Sequence, residues 1–460
     1  MGELPLKQKL IYATGNLGIA LITGLHMLHL VYFFLPPKDA GLPYLIPQSS
    51  LFLGLTALGL VIATTRMLDA VLDPVVANYS DRLNHRLGRR IPLMRWAIIP
   101  FAVCHVLVFI LPVNDDISMI NIAWLLALLS ASALFFTAYA IPFYSLMVDL
   151  AKSSDDKVDL GTISSAFWFV GFLSVHFAPW GWIILAEALS ISTALSIQII
   201  FAGIALLGTL CLALPAFLIR EDQIESAATK STKAPLIASL KHVLKNHNFR
   251  YYLGANTLYT IATSIYEAGL IYYITVLARQ EAQVQGYLAL VIGMLTLASY
   301  PLVNIAAKRQ GKKRLLQISL FLFAGAFAVT SLFGIFEGSF LILVGILVII
   351  SPFAQASFGI LPQVMTSDCA AYDTSKSDED HAGMYMAANG FFAKVGRSIG
   401  AIFLTSFLLF GKDIGDDMGI RVAAAFGGVV SIIGAIILAK YDEREILTYM
   451  DTHSRQDAAQ

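Results

Sequence analysis

The sequence predicts an all-α membrane protein whose chain crosses the bilayer twelve times, in two pseudo-symmetric bundles of six helices. Three observations predict this fold class. Of the 460 residues, 57% are hydrophobic and only 13% are charged, whereas soluble globular domains carry about 25% charged residues. Twelve apolar runs each approach or exceed the roughly 20 residues that a spanning helix needs. The two halves of the chain also repeat a similar pattern of polar segments.

The apolar runs follow one another with short polar connections. The run near 161–184 is the weakest of the twelve, because Pro179 interrupts it. The first run is longer than the core of a signal peptide and lacks a small-residue cleavage site, so we expect it to span. The expected spans are 10–35, 51–78, 92–112, 119–148, 161–184, 193–219, 251–277, 285–307, 314–335, 338–366, 384–410 and 419–440.

Lysine and arginine residues are concentrated in alternate connecting segments. If the N-terminus is cytoplasmic, the segments on its side hold 24 of the 31 basic residues, and the opposite loops hold four. Basic residues are enriched in cytoplasmic loops of membrane proteins. This asymmetry predicts that both termini are cytoplasmic, and we expect the membrane to be a bacterial inner membrane.

The longest polar stretch divides the chain into two halves. We expect an N-terminal bundle at 1–220, a central cytoplasmic loop at 221–248, a C-terminal bundle at 249–442 and a cytoplasmic tail at 443–460. The segments 73–90 and 301–314 each combine a proline, a short polar stretch and a basic cluster around glycine. The segments 142–149 and 362–368 also match. Repeated halves of this kind are typical of secondary transporters.

Charged residues inside the apolar runs carry the functional hypothesis, because a charge at the bilayer centre is costly. The second run holds Arg66, Asp69 and Asp73. Spacings of three and four place them on one helical face. Two carboxylates on adjacent turns can hold a small cation or share a proton. The alternative is a structural ion pair between Arg66 and one aspartate, which leaves the other aspartate unexplained.

Three further charges lie inside the spans of the C-terminal half. Lys394 lies in the middle of the eleventh run, with Arg397 one turn further on. The Asp69/Asp73 pair could be its partner across a cavity; the alternative is a lysine that snorkels to the interface. Glu267 lies in the middle of the seventh run and could line the cavity or pair with a neighbouring helix.

Several motifs resemble those of a known family. They are Arg66-x-x-Asp69-Ala70-x-x-Asp73-Pro74, then Ser80-Asp81-Arg82 and Arg86-x-Gly88-Arg89-Arg90-x-Pro92, with further matches at 12–18, 141–146, 365–373 and 392–396. This pattern resembles the glycoside–pentoside–hexuronide:cation symporters, the melibiose-permease-like branch of the major facilitator superfamily. The resemblance implies alternating access, with Asp69 and Asp73 as cation ligands, Thr137 as an added hydroxyl and Lys394 as the link between cation and solute.

The chain departs from sugar-transporting members of that family at positions expected to bind sugar. Alanine stands at two positions where the family carries an acidic residue, Ala20 and Ala140. Tyr144 stands where the family carries a tryptophan platform, and Ser164 aligns with an expected arginine. Carboxylates and arginine grip hydroxyl groups strongly, so these losses count against melibiose-like galactoside recognition. Leu72 replaces an amide that Na⁺-using members often carry. Losing an oxygen ligand favours H⁺, and Na⁺ stays open.

Residues in the middle of both halves are expected to contact the solute. They are Asn16, Ala20, Ala140, Tyr144, Trp168, Glu267, Asn389 and Lys394. Residues near the cytoplasmic ends, together with two arginines inside the spans, are expected to form gates. They are Arg66, Asp81, Arg82, Asp149, Asp368 and Arg397.

The sequence therefore predicts a symporter that couples H⁺ or Na⁺ to a sugar, glycoside or sugar derivative. An amphiphilic or anionic solute such as a lysophospholipid is the alternative for the same mechanism, and a non-transporting sensor is the third hypothesis. We expect no enzyme, because the sequence has no nucleophile–base pairing, P-loop or metal-ligand spacing.

The expected partners are the solute, the coupling cation and the lipid bilayer. The formal net charge of zero gives no sign of a nucleic-acid partner. We expect no cofactor, no metal other than Na⁺ at Asp69/Asp73, and a functional monomer.

Overall fold

The computed structural model describes residues 4–52, 54–83, 85–151, 154–219, 221, 243–336, 338–377 and 382–446, so most of the expected central loop and tail lie outside it. The described chain is almost entirely helical. Its α-helices are α1 Leu6–Phe34, α2 Ala57–Arg82, α3 Ile91–Leu107, α4 Met119–Leu150, α5 Ser154–His176, α6 Ala178–Leu189, α7 Thr193–Leu218, α8 His247–Tyr272, α9 Val284–Gln310, α10 Lys312–Ser331, α11 Phe340–Ser377, α12 Ala382–Phe407 and α13 Met418–Leu438.

Twelve spanning units account for these helices. Within the described residues, nine helices are long and apolar enough to cross a membrane, and α5 with α6 forms a tenth unit bent by 41°. The other two are α2, which carries five charged residues, and α3, which has 17 residues. The bend explains the weak run at 161–184, because Pro179 lies in the first turn of α6 and cannot continue the hydrogen bonding of α5.

The expected start of the second span at residue 51 is wrong. Residues Ser50–Phe52 and Leu55–Thr56 instead form a short antiparallel β-hairpin, β1–β2. The Thr56 side chain accepts a hydrogen bond from the Gly59 amide at 3.1 Å, which caps the helix at that point. The hairpin marks one end of the molecule, called the hairpin side below; the end that carries both described termini is the terminal side.

The helices pack as two bundles whose contacts correspond pair by pair. In the first bundle α1 packs on α5 and α7, α2 and α3 pack on α4, and α3 packs on α7. In the second bundle α8 packs on α12 and α13, α9 and α10 pack on α11, and α10 packs on α13. The pseudo-symmetry expected from the sequence therefore holds at the level of helix packing. The halves meet along α2–α12, α5–α9 and α1–α8.

Direct contacts join the halves on the hairpin side. The Tyr272 hydroxyl donates to the Leu35 carbonyl oxygen at 2.8 Å. The Lys38 ammonium lies 3.0 Å from Asp413 Oδ2. A Cβ atom at Gly59 on α2 would lie 2.3 Å from the Thr405 hydroxyl on α12, so only glycine permits this approach. These contacts close the molecule at this end.

Lys412 adds a partly buried charge to the same region. Its ammonium donates to the Gln48 side chain and lies 5.2 Å from the centre of the Tyr44 ring. Burial lowers the pKa of Lys412 to about 8. Protonation of Lys412 is therefore less favourable in the folded protein than in the unfolded chain, where its pKa is near 10.5.

This pKa difference predicts a pH dependence of stability. Between about pH 8 and pH 10 the unfolded chain keeps a proton that the folded chain has lost at Lys412, so stability should rise with pH over that interval. Lys412→Met should lose this component, and its melting temperature in detergent should rise less than that of the wild type. Equal pH slopes for the two proteins would contradict the prediction.

Candidate functional site

An ion cluster joins the two halves in the middle of the membrane. Lys394 Nζ on α12 lies 2.8 Å from Asp69 Oδ2 and 2.6 Å from Asp73 Oδ2, both on α2. Asp69 is buried, whereas the Asp73 side chain is 34% exposed. One ammonium thus forms short charge-assisted contacts with two carboxylates on adjacent turns. Asp69, Asp73 and Lys394 are called the ion cluster below.

A hydroxyl group from a third helix contacts both carboxylates of the ion cluster. Thr137 Oγ1 on α4 donates to Asp69 Oδ1 at 2.8 Å and lies 3.4 Å from Asp73 Oδ1. Lys394 Nζ also lies 3.4 Å from the Asp69 carbonyl oxygen. Carboxylate, hydroxyl and carbonyl oxygens are ligands that hard cations accept. The residues at this position therefore fit Na⁺, and the paired carboxylates also fit a shared proton.

Arg66 is the third charge on the same face of α2. Within the described part of the chain its guanidinium has no hydrogen bond and no ion pair. The alternative in which Arg66 pairs with one aspartate is therefore wrong, because Lys394 takes both carboxylates. Arg66 lies within electrostatic range of Asp69, Glu267 and Arg397.

A second charged pair lies one helical turn from the ion cluster. Arg397 Nη1 on α12 lies 3.5 Å from Glu267 Oε2 on α8. Both side chains line a cavity of about 350 Å³ between the halves. The sequence left two positions open for Glu267, at the cavity or paired with a neighbouring helix. Both hold, because Glu267 lines the cavity and pairs with Arg397 of the neighbouring helix α12. Arg397, expected to form a gate, belongs to the cavity.

Aromatic side chains form most of the cavity wall. Trp168 stacks on Phe172, with ring centres 5.0 Å apart and planes within 10°. The Tyr273 hydroxyl is buried and has no hydrogen-bond partner in the described structure. His176 and Gln355 add polar groups to the lining. Largely apolar walls with a few polar groups are typical of small-molecule sites.

The other expected solute contacts do not line this cavity. Ala20 and Ala140 are fully packed, so their methyl groups face neighbouring helices instead. Asn16 is also buried. Asn389 accepts a hydrogen bond from Asn256 at 2.8 Å, and Tyr144 is partly exposed outside the cavity lining. Of the eight expected residues, Trp168 and Glu267 line the cavity.

The expected gate residues at the helix ends occupy different surroundings. The Arg82 side chain is exposed. Asp368 pairs with Lys312 of its own half, and among the described residues it forms no ion pair with the other half. The side chains of Asp81 and Asp149 lie outside the described part of the structure.

Sequence reasoning missed most of the cavity wall, including four residues with polar groups. His176 comes from α5 and Tyr259 from α8. Tyr273 begins the π-helical turn Tyr273–Leu277, and Gln355 comes from α11. Single aromatic or polar residues in spans are common, and no spacing along the chain connects residues on different helices. Only the packing of the helices brings them together.

Two bundles of six helices, with an ion cluster and a cavity between them, define a secondary transporter of the major facilitator type. Residues 15–438 match the family model described as MFS/sugar transport protein, and the chain belongs to that family. It is an integral membrane protein with many spans, and its family consists of transporters rather than enzymes.

Several relatives are named as symporters or sugar transporters. An uncharacterised symporter of Synechocystis is 27% identical over 36% of this chain and 29% of its own length. The uncharacterised symporter YnaJ of Bacillus subtilis is 24% identical over 87% of this chain and 82% of its own. The isoprimeverose transporter of Lactiplantibacillus pentosus is 23% identical over 74% of this chain and 70% of its own.

Solved structures share the fold at low sequence identity. A point mutant of the nucleoside transporter NupG matches with a TM-score of 0.68 and 11% identity over 95% of this chain and 100% of its own. A bacterial homologue of the lysosomal transporter Spinster matches with a TM-score of 0.61 and 14% identity over 97% of this chain and 96% of its own.

The ion cluster predicts non-additive effects on stability. Lys394→Met should lower the melting temperature by several degrees, because it leaves two buried or half-buried carboxylates without a cation. The double variant Asp69→Asn/Lys394→Met should be more stable than Lys394→Met alone, because it removes one of the uncompensated charges. Lys308→Met, at an exposed position, serves as the control. Additive losses in thermal unfolding of the purified variants would contradict the predicted coupling.

Proposed function

We propose that this protein is a symporter that couples movement of H⁺ or Na⁺ to uptake of a sugar, glycoside or sugar derivative. The observation that carries the proposal is the position of the Lys394 ammonium between Asp69 and Asp73, within 2.8 Å of both carboxylates. An entering cation would compete with the ammonium for the same oxygens. Lys394 therefore acts as the internal cation of the empty carrier.

This competition couples the cation to the relative movement of the halves. The carboxylates belong to the N-terminal half and the ammonium to the C-terminal half, so a bound cation removes a contact between them. The released ammonium lies one helical turn from Arg397, which lines the cavity. Helix α12 thus carries both Lys394, which contacts the carboxylates, and Arg397, which lines the cavity, and it would link cation binding to solute binding.

The cavity and the relatives support a sugar-like solute. Trp168 offers an aromatic face, and Glu267 with Arg397 offers charged acceptor and donor groups for hydroxyls. One relative is named for isoprimeverose transport, and the relative YagG of Escherichia coli, 31% identical over 24% of this chain and 22% of its own, is named a putative glycoside/cation symporter.

An amphiphilic or anionic solute with the same coupling is the second candidate. The largely aromatic and aliphatic cavity wall favours it. A sensor without transport is less well supported, because it would not need the ion cluster.

We place the protein in a bacterial inner membrane as a monomer with cytoplasmic termini and the domain limits 1–220, 221–248, 249–442 and 443–460. The basic residues on the terminal side support this orientation. The hairpin side then faces the periplasm, and its closure corresponds to an inward-facing state.

Transport into proteoliposomes tests the proposal. We expect at least one member of a glycoside panel to drive H⁺ or Na⁺ entry, and Asp69→Asn and Asp73→Asn to abolish that entry because each removes a carboxylate of the ion cluster. Asp115→Asn, at an exposed loop position, is the matched control and should transport normally. Cation entry driven only by a lysophospholipid panel would favour the second candidate. Absence of any cation movement, or wild-type behaviour of both cluster variants, would refute the coupling site.

A further inference from the structure

We propose that Tyr273 binds the solute, and that its hydroxyl forms a hydrogen bond with an uncharged hydroxyl group of that solute at the closed end of the cavity. The inference rests on the proposed symport function and adds a residue that selects the solute. Four features of the described structure carry it: the position of the ring, a hydroxyl without a partner, a glycine that makes room for it, and a π-helical turn.

Tyr273 lies at the hairpin-side end of the cavity. It directly follows Tyr272, the last residue of α8, and it lines the cavity. The Tyr272 hydroxyl contacts the Val31 and Leu35 carbonyl oxygens of the other half at 3.2 and 2.8 Å. Tyr272 therefore belongs to the contacts that close the molecule, and Tyr273 belongs to the cavity wall. A solute bound at Tyr273 would contact the same turn of the chain that holds this end closed.

The Tyr273 hydroxyl has no hydrogen-bond partner among the described residues, although the side chain is only 1% exposed. Buried polar groups are almost always hydrogen-bonded, and an unpaired one destabilises the folded protein. Each of the six other described tyrosines that are equally buried has a partner for its hydroxyl. They are Tyr12, Tyr139, Tyr252, Tyr272, Tyr385 and Tyr441. Tyr273 is the exception, and a solute in the cavity can supply its partner.

A glycine makes room for this hydroxyl. A Cβ atom at Gly269, one turn earlier on α8, would lie 2.7 Å from the Tyr273 hydroxyl oxygen and 2.8 Å from Cζ of the same ring. Side chains on a helix lean towards its N-terminus, so the Tyr273 ring lies back along α8 over the bare backbone of Gly269. The ring centre of Tyr266, which also lines the cavity, is 6.5 Å away. The hydroxyl is thus directed from the closed end towards the depth of Glu267.

The chain leaves the α-helical pattern at the same residue. The Tyr273 carbonyl oxygen accepts a hydrogen bond from the Ala278 amide at 3.0 Å, which spans five residues, and Tyr273–Leu277 form a π-helical turn. Turns of this type are rare and occur frequently at functional sites. A rearrangement of this turn would move Tyr272 and Tyr273 together. Its position therefore agrees with a role in solute binding.

The chemistry of the group selects an uncharged polar partner. A tyrosine hydroxyl donates one hydrogen bond and can accept another, as can a sugar hydroxyl. The cavity wall is largely aromatic and aliphatic, and in such surroundings an unpaired polar group is costly. Removing the hydroxyl from the solute or from Tyr273 should therefore weaken binding, and the two losses should not add, because both remove one hydrogen bond.

Deoxy analogues test the inference on the purified full-length protein. The probes are the methyl α- and β-glycosides of glucose, galactose and xylose, each with its monodeoxy analogues, and binding is measured by calorimetry. We expect Tyr273→Phe to weaken binding of at least one parent glycoside about three- to tenfold, which is the effect of one net hydrogen bond. One deoxy analogue of that glycoside should bind the wild type with a similar loss, and Tyr273→Phe should weaken its binding no further. Tyr139→Phe, which removes an equally buried hydroxyl away from the cavity, is the matched control and should leave each affinity unchanged.

Thermal unfolding without solute separates binding from a structural role. Tyr273→Phe should unfold at the wild-type temperature or higher, because it removes an unpaired buried group. Tyr139→Phe should unfold at a lower temperature, because the Leu212 carbonyl oxygen loses its donor. If Tyr273→Phe fails to fold, Gly269→Ala keeps the hydroxyl and displaces the ring, and it should weaken binding of the same glycoside by a similar factor.

Several outcomes would overturn the inference. They are a wild type that binds none of the probes, unchanged affinities in Tyr273→Phe, equal losses for parent and deoxy analogues in that variant, or a melting temperature lowered as much as in Tyr139→Phe. Cation entry that depends on Asp69 but is driven equally well in Tyr273→Phe would overturn the inference and leave the proposed symport intact. Binding that depends on Tyr273 without any cation movement would support the inference and refute the symport.

Discussion

The contact of Lys394 with Asp69 and Asp73 is the interaction on which the rest of the structure depends. It is a cluster of charges at the centre of the membrane that joins the two halves, with Nζ–Oδ distances of 2.8 and 2.6 Å. Charges at that depth persist only when they are paired or bind a ligand. The ammonium of this cluster lies on one half and the carboxylates lie on the other. Replacing the ammonium by a bound ion would therefore remove a contact between the halves, whereas breaking a salt bridge within one half would not.

The apolar packing around the cluster fixes what it can reach. The main helix contacts of one bundle have counterparts in the other, and α2 and α12 bring the carboxylates and the ammonium together. On α12, Arg397 lies one helical turn from Lys394 and lines the cavity. Contacts at Tyr272, Lys38 and Gly59 hold the halves together on the hairpin side. The geometry thus joins two carboxylates paired with an ammonium, a cavity and one closed end.

Much of this arrangement follows from local sequence rules. The spacing of Arg66, Asp69 and Asp73 determines one helical face, and apolar runs long enough to span determine the helices. Contacts that depend on packing were not predictable. Ala20 and Ala140 were expected at the solute and are buried between helices, because no residue pattern tells which side of an all-apolar helix faces a cavity. Asp368 pairs with Lys312 because α10 and α11 are neighbours in the same bundle. The cavity wall combines one face from each of several helices, and nothing in the sequence indicates that those faces meet.

The proposed competition between the Lys394 ammonium and the coupling cation would link cation binding to the movement of the two halves. Its most direct test is the affinity of purified wild type and Lys394→Met for Na⁺ and H⁺, measured by calorimetry or by intrinsic tryptophan fluorescence in the absence of solute. If the ammonium occupies the cation position, its removal frees both carboxylates, and the variant should bind its coupling cation at least about tenfold more tightly, since a lost short-range charge competitor is worth at least that factor. Unchanged or weaker cation binding in Lys394→Met would contradict the claim.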